Sequence, residues 1–172
     1  MESYFGGVWK DHNFEGYEHS GYQVVEHVNA QKPSSVLDIG CGYNRFRNCI
    51  PGLIGIDPYN SEAHLRLSLE DYYAYDFPPA DIALCLGSIN FGDEETIDSQ
   101  IKMLDKLWLK ECIFRVNPGI AHDWAEHDGI TWYQWKKEKI NSIASSYNYN
   151  LACLEEETSP QGHLRYYFRY TK

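Results

Sequence analysis

Positive charge is scarce in this chain: Lys and Arg number 15 against 25 Asp and Glu, a formal net charge of −10 at pH 7. An excess of that size repels phosphate backbones at long range, which excludes DNA or RNA as the expected partner unless a local basic patch overrides it. Lys136, Lys137 and Lys139 are the one candidate patch, and on a helix they read as a solvated face. Long apolar runs are missing as well. The longest are strand-length, and no leader with a charged start and an apolar middle opens the chain, so neither membrane insertion nor secretion is expected and the cytoplasm is the default compartment. No Cys-x-x-Cys pair occurs among the five cysteines, an odd number, which argues against a disulfide framework or a thiolate zinc site. Cys85, Cys112 and Cys153 sit within apolar stretches, where free thiols behave as small hydrophobes; Cys41 and Cys49 lie in and after a glycine turn. Repeats and low-complexity segments are absent too. What remains is a chain of 172 residues, 43% hydrophobic and 15% aromatic, long enough for one domain with a proper core and too short for two ordinary ones.

The most informative stretch is residues 35–60, SVLDIGCGYNRFRNCIPGLIGIDPYN. Val36, Leu37 and Ile39 read as a short buried strand carrying Asp38, and Gly40 and Gly42 follow directly, where they allow a tight turn and close backbone approach to a ligand. Leu53, Ile54 and Ile56 read as the next strand, with Asp57 at its carboxyl end. In an open parallel sheet, ligands bind in the crevice beyond those strand ends. The dinucleotide fingerprint G-x-G-x-x-G fails here, because Arg45 occupies the third glycine position. Asp38 is a second objection: beside a pyrophosphate, unit charges ~4 Å apart repel by several kcal/mol at intermediate dielectric. The same carboxylate suits a cation. A ligand with an ammonium, a sulfonium and a ribose whose hydroxyls reach Asp57 satisfies both acids, and S-adenosylmethionine has those groups. The alternative is a strand-turn piece in which the glycines serve only turning. Two acids, each placed after its own apolar strand, are harder to explain that way.

VLDIGCGYN at 36–44 followed by GIDPYN at 55–60 resembles the class I S-adenosylmethionine-dependent methyltransferases. The resemblance is strong over 35–60, fair over 81–119 and weak elsewhere. It implies an α/β fold: a Rossmann-like methyltransferase sheet, mostly parallel with an antiparallel C-terminal strand and helices on both faces. It further implies that Asp38, Gly40 and Gly42, with Cys41 between them, hold the methionine part, that Asp57 holds the ribose, and that Pro58 and Tyr59 lie against the adenine. The family's next acid, after its third strand, falls here at Ser68, beside Leu69 and close to Glu70 and Asp71. Gly87 and Ser88 match the position that closes the site.

Elsewhere the pattern predicts an irregular aromatic arm over 1–20 that serves as a lid or packs as core, a helix over 20–31 ending at Pro33, and strands over 65–69 and 81–86 with a turn region at 72–79 between them. A helix over 94–110, a strand over 111–116, a helix over 131–147 and closing strands over 151–154 and 164–170 complete the chain. The crossover from Ile39 to Leu53 is barely long enough, and Pro51-Gly52 cuts it short, so one or two helical turns around 45–49 replace a full helix. This trimming resembles the small versions of the fold carried by bacteriophages. It should leave one sheet face thinly covered, which suggests a partner surface and a homodimer.

Methyl displacement needs alignment more than protein chemistry, so few catalytic residues need exist. Asn90 at the crevice mouth and His122 and His127 in the loop 120–130 are the candidates, with Tyr17 and His19 if the arm closes. His122, Asp123, Glu126, His127 and Asp128 crowd that loop, yet two histidines five apart lack the spacing that aligns helix-borne metal ligands, and no metal is expected. An S-adenosylmethionine-dependent methyltransferase acting on a small molecule is the first expectation. A non-catalytic protein of the same fold acting through a partner is the second, and a nicotinamide oxidoreductase is disfavoured by Arg45 and Asp38.

Overall fold

The computed structural model describes Phe5 and residues 21–118, 130–158 and 162–172. Its frame is a six-stranded sheet in the order β2-β1-β3-β4-β6-β5, with β1 at Val36–Ile39, β2 at Leu53–Ile56, β3 at Ala80–Leu86, β4 at Trp108–Val116, β5 at Asn150–Thr158 and β6 at Leu164–Thr171. The first four strands run parallel, and β6 runs antiparallel between β4 and β5. Every residue of β1 is buried, as befits a central parallel strand covered on both faces.

Among the described residues four helices flank the sheet: α1 at Gln23–Gln31, α2 at Leu69–Ala74, α3 at Glu94–Leu104 and α4 at Lys137–Tyr147. On one face Val24 and Val28 of α1 pack with Phe46 and Ile50 onto Val36, Ile82, Leu84 and Ile113. The opposite face carries α2, α3 and α4, whose Leu69, Ile97, Ile101, Ile140 and Ile143 meet Leu37, Cys85, Phe114 and Phe168. The crossover from β1 to β2 contains only a 3-10 turn at Arg45–Asn48, as its length and Pro51-Gly52 require. Among the described residues, the face that holds α1 is covered by that helix and one short turn.

Several boundaries differ from the sequence pattern, each for a physical reason. No strand forms at 65–69: Leu65 makes a single bridge to Ile56, and Ser68 caps α2. The Ser68 hydroxyl accepts from the Asp71 N–H while the Asp71 carboxylate accepts from the Ser68 N–H, a capping box that starts a helix where a strand and then a turn were expected. Tyr72 and Tyr73 thus belong to a helix and not to a turn. The edge of β2 is satisfied without a neighbouring strand: the Gly55 N–H donates to His64 Nδ1 at 2.9 Å, and the Gly55 carbonyl accepts from the N–H groups of His64 and Leu65. Helix α3 stops at Leu104, and β4 begins at Trp108, because the Leu107 carbonyl already accepts the Ala80 N–H that opens the β3 ladder. Residues 131–135, expected as helix, are extended; Trp132 bridges Phe91, Trp135 bridges Pro118, and α4 starts at Lys137. Helix α1 begins at Gln23 and not at position 20. The closing strands run longer than their apolar cores, to Thr158 and Thr171.

Candidate functional site

The carboxyl ends of β2, β1 and β3 lie side by side, and their following turns build one notch. The floor is the turn after β1. Gly40 has φ +66, and a Cβ added there would stand 2.4 Å from the Ser88 Cβ, so only a bare backbone lets this turn meet the turn after β3. Gly87 (φ +101), just before Ser88, faces open space. The Ser88 hydroxyl is buried and has no hydrogen-bond partner among the described residues.

Asp57 locks the floor to the turn after β2. One carboxylate oxygen accepts from the Gly42 N–H at 3.1 Å, and the other accepts from the N–H groups of Tyr59 at 2.8 Å and Asn60 at 2.9 Å. Asp38, in the strand beneath, is only 3% exposed. Burial first, and the Asp57 charge second, push its carboxyl up to about 7, and no hydrogen bond from a described residue offsets them. Cys41 lies between the two glycines. Its thiol is pushed far up by burial and then by Asp38 and Asp57, so it is no nucleophile at neutral pH.

Two contributors escaped the sequence reading. Asn44, fully buried at φ +51, donates through Nδ2 to the Glu62 carbonyl at 2.9 Å and clamps the chain after β2 onto the glycine turn. Gly55 makes room for it: a Cβ there would lie 2.6 Å from Asn44 Oδ1 and 2.8 Å from Cys41 Sγ. A glycine inside an apolar strand was the available signal, since such a residue marks close approach of another chain segment.

The remaining site residues fall as follows. Pro58 and Tyr59 are half-exposed on the β2 turn. Ser68 and Asp71 are engaged in capping α2, Leu69 is buried in the core and Glu70 is exposed. Asn90 is buried, and both ends of its amide are engaged: Nδ2 donates to the Gly87 carbonyl and Oδ1 accepts from the Asn117 N–H, each at 2.9 Å. Its carbonyl accepts from the Tyr133 N–H at 2.8 Å. Phe5 of the arm stacks on Tyr59 with ring centroids 6.0 Å apart and meets Phe91 edge-on at 5.0 Å. His122, His127, Tyr17 and His19 lie outside the described residues, as do Asp123, Glu126 and Asp128.

This sheet order with its glycine floor is the fold of the class I S-adenosylmethionine-dependent methyltransferases, and solved structures agree. The chain is similar to the magnesium protoporphyrin IX methyltransferase of Synechocystis PCC 6803, solved with S-adenosylmethionine bound: TM-score 0.73, 15% identity, 99% of this chain and 94% of that one. It is similar to the 1,6-didemethyltoxoflavin-N1-methyltransferase of Burkholderia thailandensis, solved with 1,6-didemethyltoxoflavin and S-adenosylhomocysteine, at TM-score 0.72 and 15% identity over 99% of this chain and 84% of that one. A chain from the complex of the Haloferax volcanii Trm112 methyltransferase activator with its putative methyltransferase matches at TM-score 0.66 and 10% identity, over 99% of this chain and 96% of that one. No family model and no curated protein matches the sequence. Among the described residues, no helix is long and apolar enough to cross a membrane.

Proposed function

We propose that this chain is a methyltransferase that uses S-adenosylmethionine on a small-molecule acceptor. Asp38 carries the reading. A carboxyl buried near a strand end, without a partner among the described residues and pushed up to about 7, is a poor structural element and a good counter-ion for a ligand's ammonium, which would restore its charged form. The buried Ser88 hydroxyl supports the same site, because a ligand polar group beside it supplies the partner it lacks. So do the glycine floor, which leaves backbone free to meet a ligand, and neighbours solved with S-adenosylmethionine or S-adenosylhomocysteine.

In this reading Asp38, Gly40, Cys41, Gly42 and Ser88 hold the methionine part, and Gly87 leaves the space beside it open. Asp57, already oriented by three backbone N–H groups, turns its remaining lone pair to the ribose. Pro58 and Tyr59 flank the adenine, and Ser68 and Leu69 form the far wall. When bound, the cofactor supplies a sulfonium methyl group that an acceptor lone pair can attack. The chain's part is to align acceptor and methyl group and exclude water, which supplies most of the rate. Phe5, lying between Tyr59 and Phe91, supports the arm as a cover over the notch. Asn90 is a positioning residue, since an amide takes no proton and this one is engaged at both ends. His122 and His127 stay the candidates for a general base.

Calorimetric titration with S-adenosylhomocysteine tests the site. Binding should weaken more than tenfold in Asp38→Asn, and the wild type should release close to one proton per ligand bound at about pH 6. No binding heat from folded wild type rejects the reading. A second reading, a protein of this fold that works through a partner surface, is supported by an α1 face that carries one helix among the described residues and by the likeness to a chain of the Haloferax complex. Its self-association form is removed if sedimentation at micromolar concentration finds only monomer.

A further inference from the structure

Strand β2 stands at one end of the sheet order, and its outer edge is met by His64. The His64 N–H donates to the Gly55 carbonyl at 2.9 Å, and the ring Nδ1 accepts the Gly55 N–H, also at 2.9 Å. Asn44 Nδ2, which donates to the Glu62 carbonyl, lies 3.2 Å from the same ring nitrogen. Two N–H donors converge on Nδ1, so this nitrogen must present its lone pair; the ring is then neutral and carries its proton on Nε2. Gly55 is buried, and a buried N–H left without an acceptor is costly. His64 itself is exposed, so solvent protons reach the ring.

The segment that His64 closes is the one that orients Asp57. Within it the Asp57 carboxylate accepts from the Tyr59 and Asn60 N–H groups, and Asn60 Oδ1 accepts from the Glu62 N–H at 3.0 Å. The Asp57 N–H donates to the Leu65 carbonyl at 3.2 Å, one residue past the imidazole. Protonation at Nδ1 sets one N–H against another, so the imidazolium turns away and the Asp57 turn loses its outer anchor. The charged and titratable groups on the elements around the ring are Asp38 and Cys41 at the glycine turn, Arg47 in the 3-10 turn, Asp57 after β2, and Glu62 and Arg66 in the segment itself. Arg47 and Glu62 face each other at 3.8 Å, and none of the six forms an ion pair with His64 that would hold the imidazolium in place.

Resting on the methyl-transfer reading above, we propose that neutral His64 is a positioning residue for the cofactor's ribose: through the Gly55 N–H it fixes the turn that holds Asp57, and its protonation loosens that turn and weakens cofactor binding. Two variants separate this role from plain support. In His64→Asn the amide Oδ1 stands where Nδ1 stood and accepts the same N–H without ever titrating; His64→Ala has no acceptor. Each protein, checked for folding by circular dichroism, is titrated calorimetrically with S-adenosylhomocysteine between about pH 8 and about pH 5. Asp38 contributes to the pH dependence of all three, so the ratio of wild type to His64→Asn isolates His64. That ratio should move by about tenfold against the wild type as the pH falls, while His64→Ala binds about tenfold more weakly than His64→Asn at both ends. Imidazole nitrogen NMR of the free wild type near pH 8 should show Nε2 protonated and Nδ1 bare. A ratio that stays constant, or a proton on Nδ1, overturns the proposal and leaves the cofactor reading standing. Absence of S-adenosylhomocysteine binding by folded wild type at every pH removes both.

Discussion

Replacing Asp38 by asparagine should make the ligand-free protein more stable at neutral and alkaline pH while removing its affinity for the cofactor. Burial and the Asp57 charge hold the carboxyl at about 7 when folded, against the ordinary aspartate value of 3.8 that stands for the unfolded chain. Between those values the folded state holds a proton that the unfolded state has lost, so stability falls as pH rises, by about 1.4 kcal/mol per unit. Across roughly three units this reaches about 4 kcal/mol, and above pH ~7 the full cost of a buried carboxylate beside Asp57 is present. Asparagine has the same shape and never ionises. Urea titrations of both proteins, extrapolated linearly at several pH values from about 4 to about 8, measure the difference directly. The two should be nearly equal at the acid end and diverge by some 2–4 kcal/mol at the alkaline end, in favour of the variant. A stability difference that stays constant across that range would mean that Asp38 titrates alike in both states, and the burial argument would be wrong. The opposite movement of stability and affinity is what a group kept for binding shows.

Two further substitutions probe the frame. Gly55→Ala drives a Cβ to 2.6 Å from Asn44 Oδ1 and 2.8 Å from Cys41 Sγ; the expected loss is about 1–3 kcal/mol in a melt, with weaker S-adenosylhomocysteine binding because the glycine turn shifts. Asn90→Ala strands the Asn117 N–H and the Gly87 carbonyl, so stability should drop by about 1–3 kcal/mol. Unchanged stability with lowered turnover would instead restore Asn90 to the catalytic candidates.

The neighbourhood of β1 was readable because its signals are local. A four-residue apolar strand, glycines at positive φ and a Pro51-Gly52 stop act through nearest neighbours, and the shortened crossover follows from counting residues. The sheet's one antiparallel strand was also foreseeable, through the resemblance and the alternation of Leu164, Tyr166, Phe168 and Tyr170. The local pattern misled at 65–69, where a strand was expected and the Ser68–Asp71 cap won, and around Trp132, where a helix was expected and two bridges to distant segments hold the chain extended.

Residue order alone thus determined which acids and glycines stand at the strand tips, since hydrophobic runs and backbone freedom are properties of short stretches. Only the folded arrangement decided that Asp38 is buried with no partner among the described residues and resists ionisation, that Asp57 orients itself on three N–H groups, that His64 replaces an edge strand, and that Phe5, Phe91 and Trp132 share one row. Desolvation, Coulomb repulsion and ring contact depend on distances in space between groups far apart along the chain, and those distances exist only once the sheet has formed.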